Sequence, residues 1–130
     1  MTFLDTHAWL WWLSDRSLVG ATARKQIAAV IEQASLAASS MSAWEAAVLV
    51  KKGRLELTLG VEELIYHYEG LPFFSFVPIT PRIAMLSVRL EPFHADPADR
   101  LIVATAMHYG GLLLTDDSKI HGFAQVRAAW

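Results

Sequence analysis

The chain has 130 residues, of which 54% are hydrophobic and 18% are charged, with a formal net charge of -2. This length fits a single domain over residues 1–130, and the high apolar content predicts that a partner chain covers part of the surface, so we expect a homodimer or a complex. Cysteine is absent, which excludes disulfides, thiolate zinc sites and cysteine nucleophiles and fits a reducing compartment.

The N-terminal segment MTFLDTHAWLWWL has neither a basic region nor a small-residue cleavage site, and no apolar run approaches the roughly 20 residues of a membrane span. We therefore expect a cytoplasmic protein that is not bound to a membrane. Residues 2–4 predict a short buried strand, which places Asp5 at its C-terminal end. Residues 8–13 predict a helix that ends near Ser14 and Asp15.

Strands and helices alternate along the rest of the chain. Further strands are predicted at residues 36–38, 74–78, 112–114 and 125–130. Helices are predicted at 21–33, 42–52, 61–69, 81–90 and 97–109, with a short helix or turn at 118–123 and a loop at EPFHADP. The alternation predicts an α/β fold with a central, mostly parallel β-sheet flanked by α-helices on both faces.

Four acidic residues lie in four separate segments of the chain: Asp5, Glu45, Asp99 and Asp117. Three of the four follow or open predicted strands or helices. Strand ends converge in such folds, so residues far apart in the chain can share one pocket. Carboxylates that share a pocket raise each other's pKa unless a positive charge compensates them. Because hard cations such as Mg²⁺ prefer oxygen ligands and leave positions free for phosphate oxygens, the pattern predicts a metal site for phosphate chemistry.

Two of the acidic positions are ambiguous. Asp96 precedes Asp99 by three residues, and Asp116 directly precedes Asp117. We interpret Asp96 as the N-cap of the helix that Pro97 opens, which leaves Asp99 for the site. The choice of Asp117 over Asp116 stays open, because it depends on how the loop turns.

The segments LDTHAWLWWL, SAWEAAVLVKKGRL, HADPADRLIVATAMHYG and LLLTDDSKI together resemble the PIN-domain ribonucleases, and specifically the VapC-type toxins of type II toxin-antitoxin pairs. The resemblance covers nearly the whole chain and rests on the order and spacing of these segments. It implies a PIN-like domain that cleaves RNA and is inhibited by a cognate antitoxin.

By that resemblance, Asp5, Glu45, Asp99 and Asp117 match the acidic positions of the family, and Thr115 matches a small hydroxyl residue before the last of them. Asp5, Asp99 and Asp117 would hold Mg²⁺ or Mn²⁺. Glu45 would bind a second ion, orient the attacking water or act as its base. The resemblance also implies hydrolysis that leaves a 5′-phosphate.

Purely structural interpretations exist for some of these residues. Glu45 lies three residues after Ser42, which is the spacing of a capping box. An acidic residue at position 99 is also favoured by the dipole of the helix that begins there. Asp5 is the exception, because a carboxylate between an apolar strand and HAWLWW has little access to solvent.

Other residues receive weaker predictions. The helix containing Trp9, Trp11 and Trp12 is apolar on nearly every side, so we expect the core to cover part of it and a dimer or antitoxin contact the remainder. Arg100 and Lys119 are candidates for substrate or antitoxin contacts, but we favour an ordinary surface ion pair for each of them. The five histidines, which include His7 and His94, lack metal-ligand spacing and are interpreted as structural or solvent-exposed.

The main alternative function is a non-catalytic PIN-like module that binds RNA or protein. Acidic residues at all four family positions disfavour it. A phosphatase with an aspartyl nucleophile would require a second aspartate two residues after Asp5, where this chain has His7.

Overall fold

A single five-stranded sheet organises the chain in the computed structural model, which describes residues 1–90 and 96–130. All neighbouring strands are parallel, in the order β3-β2-β1-β4-β5. The strands are Thr2–Leu4 (β1), Leu36–Ser39 (β2), Phe74–Val77 (β3), Leu112–Leu114 (β4) and Arg127–Ala129 (β5). The predicted α/β fold is therefore confirmed, and the sheet is parallel throughout.

The helices of the described residues are Thr6–Ser14 (α1), Ala21–Ile31 (α2), Ser40–Lys51 (α3), Val61–Glu69 (α4), Pro81–Val88 (α5), Pro97–His108 (α6) and Ser118–His121 (α7). A short 3-10 turn at Arg16–Leu18 was not predicted. His94 and the EPFHA part of the predicted loop lie outside the described residues.

The predicted start of α3 at Ser42 is wrong. The helix begins at Ser40, and the Ser39 hydroxyl caps it by accepting a hydrogen bond from the Met41 N–H at 3.1 Å. Ser42 instead lies inside the first turn, is fully buried and accepts a 3.2 Å hydrogen bond from the hydroxyl of Thr6 on α1.

Alternate residues of each strand enter opposite layers of the core, as the two-residue period of a strand requires. Leu4 and Leu114 point into the layer formed mainly with α1, α2 and α4. Phe3 and Leu113 point into the layer that contains side chains of α5, α6 and α7. Helices therefore cover both faces of the sheet, as predicted.

The order of the strands positions the site. From β1 the chain continues to β2 on one side, whereas β4 pairs with β1 on the other side. Open parallel sheets bind ligands in the crevice that such a reversal leaves beyond the C-terminal strand ends. Gly111 allows β4 to lie this close to β1, because a Cβ at that position would be 2.7 Å from the Met1 carbonyl oxygen.

The apolar helix α1 is covered largely by its own chain. Trp9 and Leu10 are fully buried and Trp12 is 7% exposed, while the half-buried Trp11 contacts Trp130. The part of this helix available to a partner is thus smaller than the sequence suggested. Within the described residues, no helix combines the length and the hydrophobicity that crossing a bilayer requires.

Candidate metal centre

An acidic pocket of about 450 Å³ opens beyond the C-terminal ends of β1 and β4. All four acidic residues predicted for the site line it, together with the two alternatives that the sequence left open. These six residues are Asp5, Glu45, Asp96, Asp99, Asp116 and Asp117. The fold therefore brings together carboxylates from four separate segments of the chain.

Asp5 is held at the base of this pocket by two hydrogen bonds. Its Oδ1 accepts a 2.8 Å bond from the Ala8 N–H and thereby caps α1. The hydroxyl of Thr115, a fully buried residue directly after β4, also donates to the carboxylate. Because only 9% of Asp5 is exposed, burial raises the pKa of its carboxyl despite both bonds.

Thr115 connects Asp5 to the last acidic residue. Its Oγ1 accepts a 3.1 Å hydrogen bond from the backbone N–H of Asp117, while its hydroxyl proton is donated to Asp5. Asp117 in turn caps α7, its Oδ1 accepting from the N–H groups of Lys119 at 2.8 Å and Ile120 at 3.3 Å. The Thr115 hydroxyl therefore joins Asp5 to the backbone of Asp117, next to the 3.1 Å hydrogen bond from the Asp5 N–H to the Leu114 carbonyl oxygen.

Asp99 experiences the repulsion within the pocket most directly. It lies in the first turn of α6 and is half-buried. Burial and, after it, the neighbouring carboxylates together raise the pKa of its carboxyl from 3.8 to about 7. Those neighbours, in decreasing order of their effect, are Glu45, Asp96, Asp117 and Asp5.

Glu45 reaches the pocket from α3, and its capping-box interpretation is wrong. Ser39 rather than Ser42 caps that helix, so Glu45 lies in the second turn and has no role at the helix start. Its half-buried carboxylate lines the pocket and raises the pKa values of both Asp5 and Asp99.

The structure gives Asp96 the capping role predicted for it. Asp96 is exposed, and its Oδ1 accepts a 2.8 Å hydrogen bond from the Ala98 N–H at the start of α6. Asp116 is likewise exposed, whereas Asp117 is half-buried. Since both residues also line the pocket, the preference for Asp99 and Asp117 as ligands stays a prediction.

Arg100 and Lys119 do not line this pocket in the described part of the chain. The Arg100 guanidinium donates to the carbonyl oxygens of Ser87 at 3.0 Å and Val88 at 3.2 Å, and so attaches α6 to the C-terminal end of α5. Lys119 is exposed. The structure thus gives Arg100 a packing role that the sequence did not predict.

Four of the residues that line the pocket had no predicted role in the site. Thr6, His7 and Trp11 line it from α1, and Leu49 lines it from α3. His7 and Trp11 are four residues apart, as are Glu45 and Leu49, and this spacing places side chains on one face of a helix. Spacing from Asp5 and Glu45 could have indicated them, but only once the two helices were known to face each other.

The donor chemistry of the pocket fits a hard divalent cation. All six titratable acids that line it offer oxygen atoms, and no lysine or arginine of the described residues lines it. Among those residues, no three His, Cys, Asp or Glu side chains form a ready-made ligand cluster. Mg²⁺ binds through one or two carboxylates and retains several waters, so such a cluster is not required for a fit.

Comparisons with known proteins agree with this architecture. Residues 2–128 match the family model described as PIN domain. The chain is 33% identical over 125 residues to Ribonuclease VapC22 of Mycobacterium tuberculosis, covering 95% of this chain and 92% of that protein.

Two solved structures share the fold. VapBC2 from Rickettsia felis, bound to a DNA fragment from its promoter, matches with a TM-score of 0.70 and 10% identity over 98% of this chain and 96% of the other. A toxin-antitoxin complex from Klebsiella pneumoniae matches with a TM-score of 0.65 and 22% identity over 97% of this chain and 95% of the other.

Proposed function

This chain belongs to the PIN-domain family, and from that premise we propose that it is a metal-dependent endoribonuclease, the toxin of a type II toxin-antitoxin module. Support for ribonuclease activity comes from the similarity to Ribonuclease VapC22, which is 33% identical over 95% of this chain. The observation that carries it to particular residues is the pocket in which Asp5, Glu45, Asp99 and Asp117 meet.

Asp5, Asp99 and Asp117 are the proposed ligands of Mg²⁺ or Mn²⁺. When bound, the ion supplies an activated water and neutralises charge on the phosphate. The hydrogen bonds of Asp5 and Asp117 to helix N-termini and to Thr115 orient their carboxylates before any ligand arrives. Glu45 either binds a second ion, orients the attacking water or accepts its proton.

The raised pKa of Asp99 supports this assignment. A carboxyl with a pKa of about 7 in the metal-free pocket carries a charge that its surroundings disfavour. A divalent cation removes that penalty and places positive charge where the scissile phosphate would dock. Hydrolysis would leave a 5′-phosphate, as expected for the family.

The decisive experiment is cleavage of labelled, structured RNA by purified protein freed of antitoxin, with Mg²⁺ or Mn²⁺ and with an EDTA control. Asp5→Asn keeps the shape of the side chain but removes a charged ligand, so cleavage should fall at least about 100-fold. Glu32→Gln, at an exposed carboxylate that does not line the pocket, is the matched control and should leave cleavage unchanged.

Either of two results would overturn the proposal: cleavage that persists in EDTA, or cleavage that Asp5→Asn leaves unchanged. Protein that binds Mn²⁺ and RNA but cuts no RNA in a total cellular pool would instead support the non-catalytic binding module.

The proposed partners are a cognate antitoxin and a second copy of this chain. Support comes from apolar side chains that the chain leaves exposed, among them Trp44, Met85 and Val88, which are 59%, 57% and 71% exposed. Light scattering tests the homodimer, and a monomer mass at micromolar concentration would contradict it. We also propose a cytoplasmic location, which the absence of cysteine fits and which cell fractionation tests.

A further inference from the structure

One wall of the acidic pocket is aromatic and apolar. It consists of His7 and Trp11 on α1 and Leu49 on α3, which all line the pocket. Leu49 lies one helical turn beyond Glu45, and Trp11 lies one turn beyond His7. One turn corresponds to about 5.4 Å along a helix axis. The wall therefore begins beside the carboxylates and extends about one turn away from them.

The two rings of this wall are held in place by their own chain. The His7 and Trp11 ring centroids are 5.2 Å apart with an interplanar angle of 46°. Trp130 contacts Trp11 edge-on, with centroids 5.9 Å apart. His7 is exposed and Trp11 is half-buried, so a flat ligand in the pocket can reach aromatic surface whose orientation is already fixed.

The charge of the pocket determines which part of a nucleotide can use this wall. Six acidic residues line the pocket, and no lysine or arginine from the described part of the chain does. Proteins usually gain affinity for nucleic acid from basic side chains at the phosphates. Here a phosphate depends on the bound cation, and the remaining contacts must come from uncharged parts of the nucleotide.

We propose that His7, Trp11 and Leu49 form a binding subsite for a nucleobase, adjacent to the phosphate held at the carboxylates. This inference rests on the proposed ribonuclease function. A separation of one helical turn is comparable to that between phosphate and base within one nucleotide. Aromatic side chains stack on every type of base, but a base must be unpaired to reach them, so the subsite selects single-stranded or looped RNA.

Binding of mononucleotides tests the subsite without relying on cleavage. The full chain is titrated calorimetrically in Mn²⁺ with AMP, with CMP and with ribose 5-phosphate, which carries the same phosphate but no base. Each nucleotide should bind about tenfold more tightly than ribose 5-phosphate, because one base–aromatic stack contributes a factor of this order.

Variants of the proposed subsite test whether its side chains cause the preference for nucleotides over ribose 5-phosphate. Trp11→Leu should abolish the preference for nucleotides and leave the affinity for ribose 5-phosphate unchanged, whereas Trp11→Phe should retain most of the preference. His7→Ala, at an exposed side chain, should reduce it severalfold and serves as the test should Trp11→Leu fail to fold. Trp44→Leu is the matched control, since Trp44 is 59% exposed on α3 and does not line the pocket.

The outcomes separate the subsite from the proposed function. Equal affinities for nucleotides and ribose 5-phosphate, both dependent on Mn²⁺, would overturn the subsite and leave the metal-dependent site intact. An equal loss in Trp44→Leu would also overturn the subsite. If Mn²⁺ promoted the binding of none of the three compounds, the proposed function would fail, and the subsite with it.

Discussion

Replacing Asp99 by asparagine should stabilise the metal-free protein while it destroys the metal site. The side chain is half-buried among four other carboxylates, and its pKa is raised from 3.8 to about 7. A shift of that size corresponds to a penalty of about 4 kcal/mol on the ionised form. Because Asp99 is partly solvated, screening reduces the penalty, and we expect about 1–2 kcal/mol.

The pH dependence gives this prediction a distinctive signature. The folded state holds a proton on Asp99 between about pH 4 and pH 7, where the unfolded chain has lost it. Stability of the wild type therefore falls as the pH rises through this window, and the penalty is complete above pH 7. Asp99→Asn lacks the titrating group, so its advantage should be largest at pH 8 and disappear towards pH 4.

Thermal unfolding in EDTA at pH 4.5 and pH 8 measures the effect. The expected gain at pH 8 is about 4–8 °C in Tm for a chain of this length. Asp116→Asn, at an exposed carboxylate of the same pocket, should change stability by less than about 0.5 kcal/mol. Saturating Mn²⁺ should reverse the order, because the ion stabilises only a chain that binds it.

Two results would refute this reasoning. If Asp99→Asn were no more stable than the wild type at pH 8 without metal, the carboxylates of the pocket would not repel one another as inferred. If its advantage were the same at pH 4.5, the gain would come from packing and not from charge.

Two further predictions concern the buried hydroxyl groups around the site. Thr115→Val removes the donor to Asp5 and the acceptor for the Asp117 N–H, so we expect about 1–3 kcal/mol lower unfolding free energy in urea and weaker Mn²⁺ binding by calorimetry. Thr115→Ser keeps the hydroxyl and should preserve the Mn²⁺ affinity; equal affinity in the valine variant would contradict the bridging role. Ser42→Ala removes the acceptor of the Thr6 hydroxyl between α1 and α3 and should cost about 1–2 kcal/mol in urea unfolding. Adding Thr6→Val should recover part of that loss, and strictly additive effects of the two changes would argue against the bond.

Local signals in the sequence were sufficient for the framework of the fold. Val61–Glu69 and Leu112–Leu114 have the predicted bounds, since each lies between glycines or other clear boundary residues. The start of α3 could not be predicted equally well, because the run SSMS offers three serines as caps. Ser42 is excluded only by its contact with Thr6 on α1, and that contact depends on how the two helices pack.

The site, like the fold, has a part that the sequence predicts and a part that depends on how the helices pack. Each of the four acidic residues occurs next to a strand end or in the early turns of a helix, so their meeting at one edge of the sheet followed from the order of the elements. The aromatic wall did not follow, because His7 and Trp11 are also compatible with the core or the surface of any apolar helix. Their role depends on their position beside Leu49 of α3 in the same pocket, which only the packing of α1 against α3 determines.

The parallel sheet also explains how so many carboxylates can share a pocket that no lysine or arginine of the described residues lines. Helices α1 and α7 directly follow parallel strands and therefore begin at the same edge of the sheet, and α6 also begins at the pocket, which Asp96 lines. Asp5, Asp96 and Asp117 each direct one carboxylate oxygen to an N-terminal N–H group of these helices, at 2.8 Å in every case. The backbone thus orients three acids without placing a lysine or arginine beside them. A lysine or arginine in that position would neutralise the charge and remove the attraction for a divalent cation, so orientation by helix capping keeps the pocket competent to bind metal.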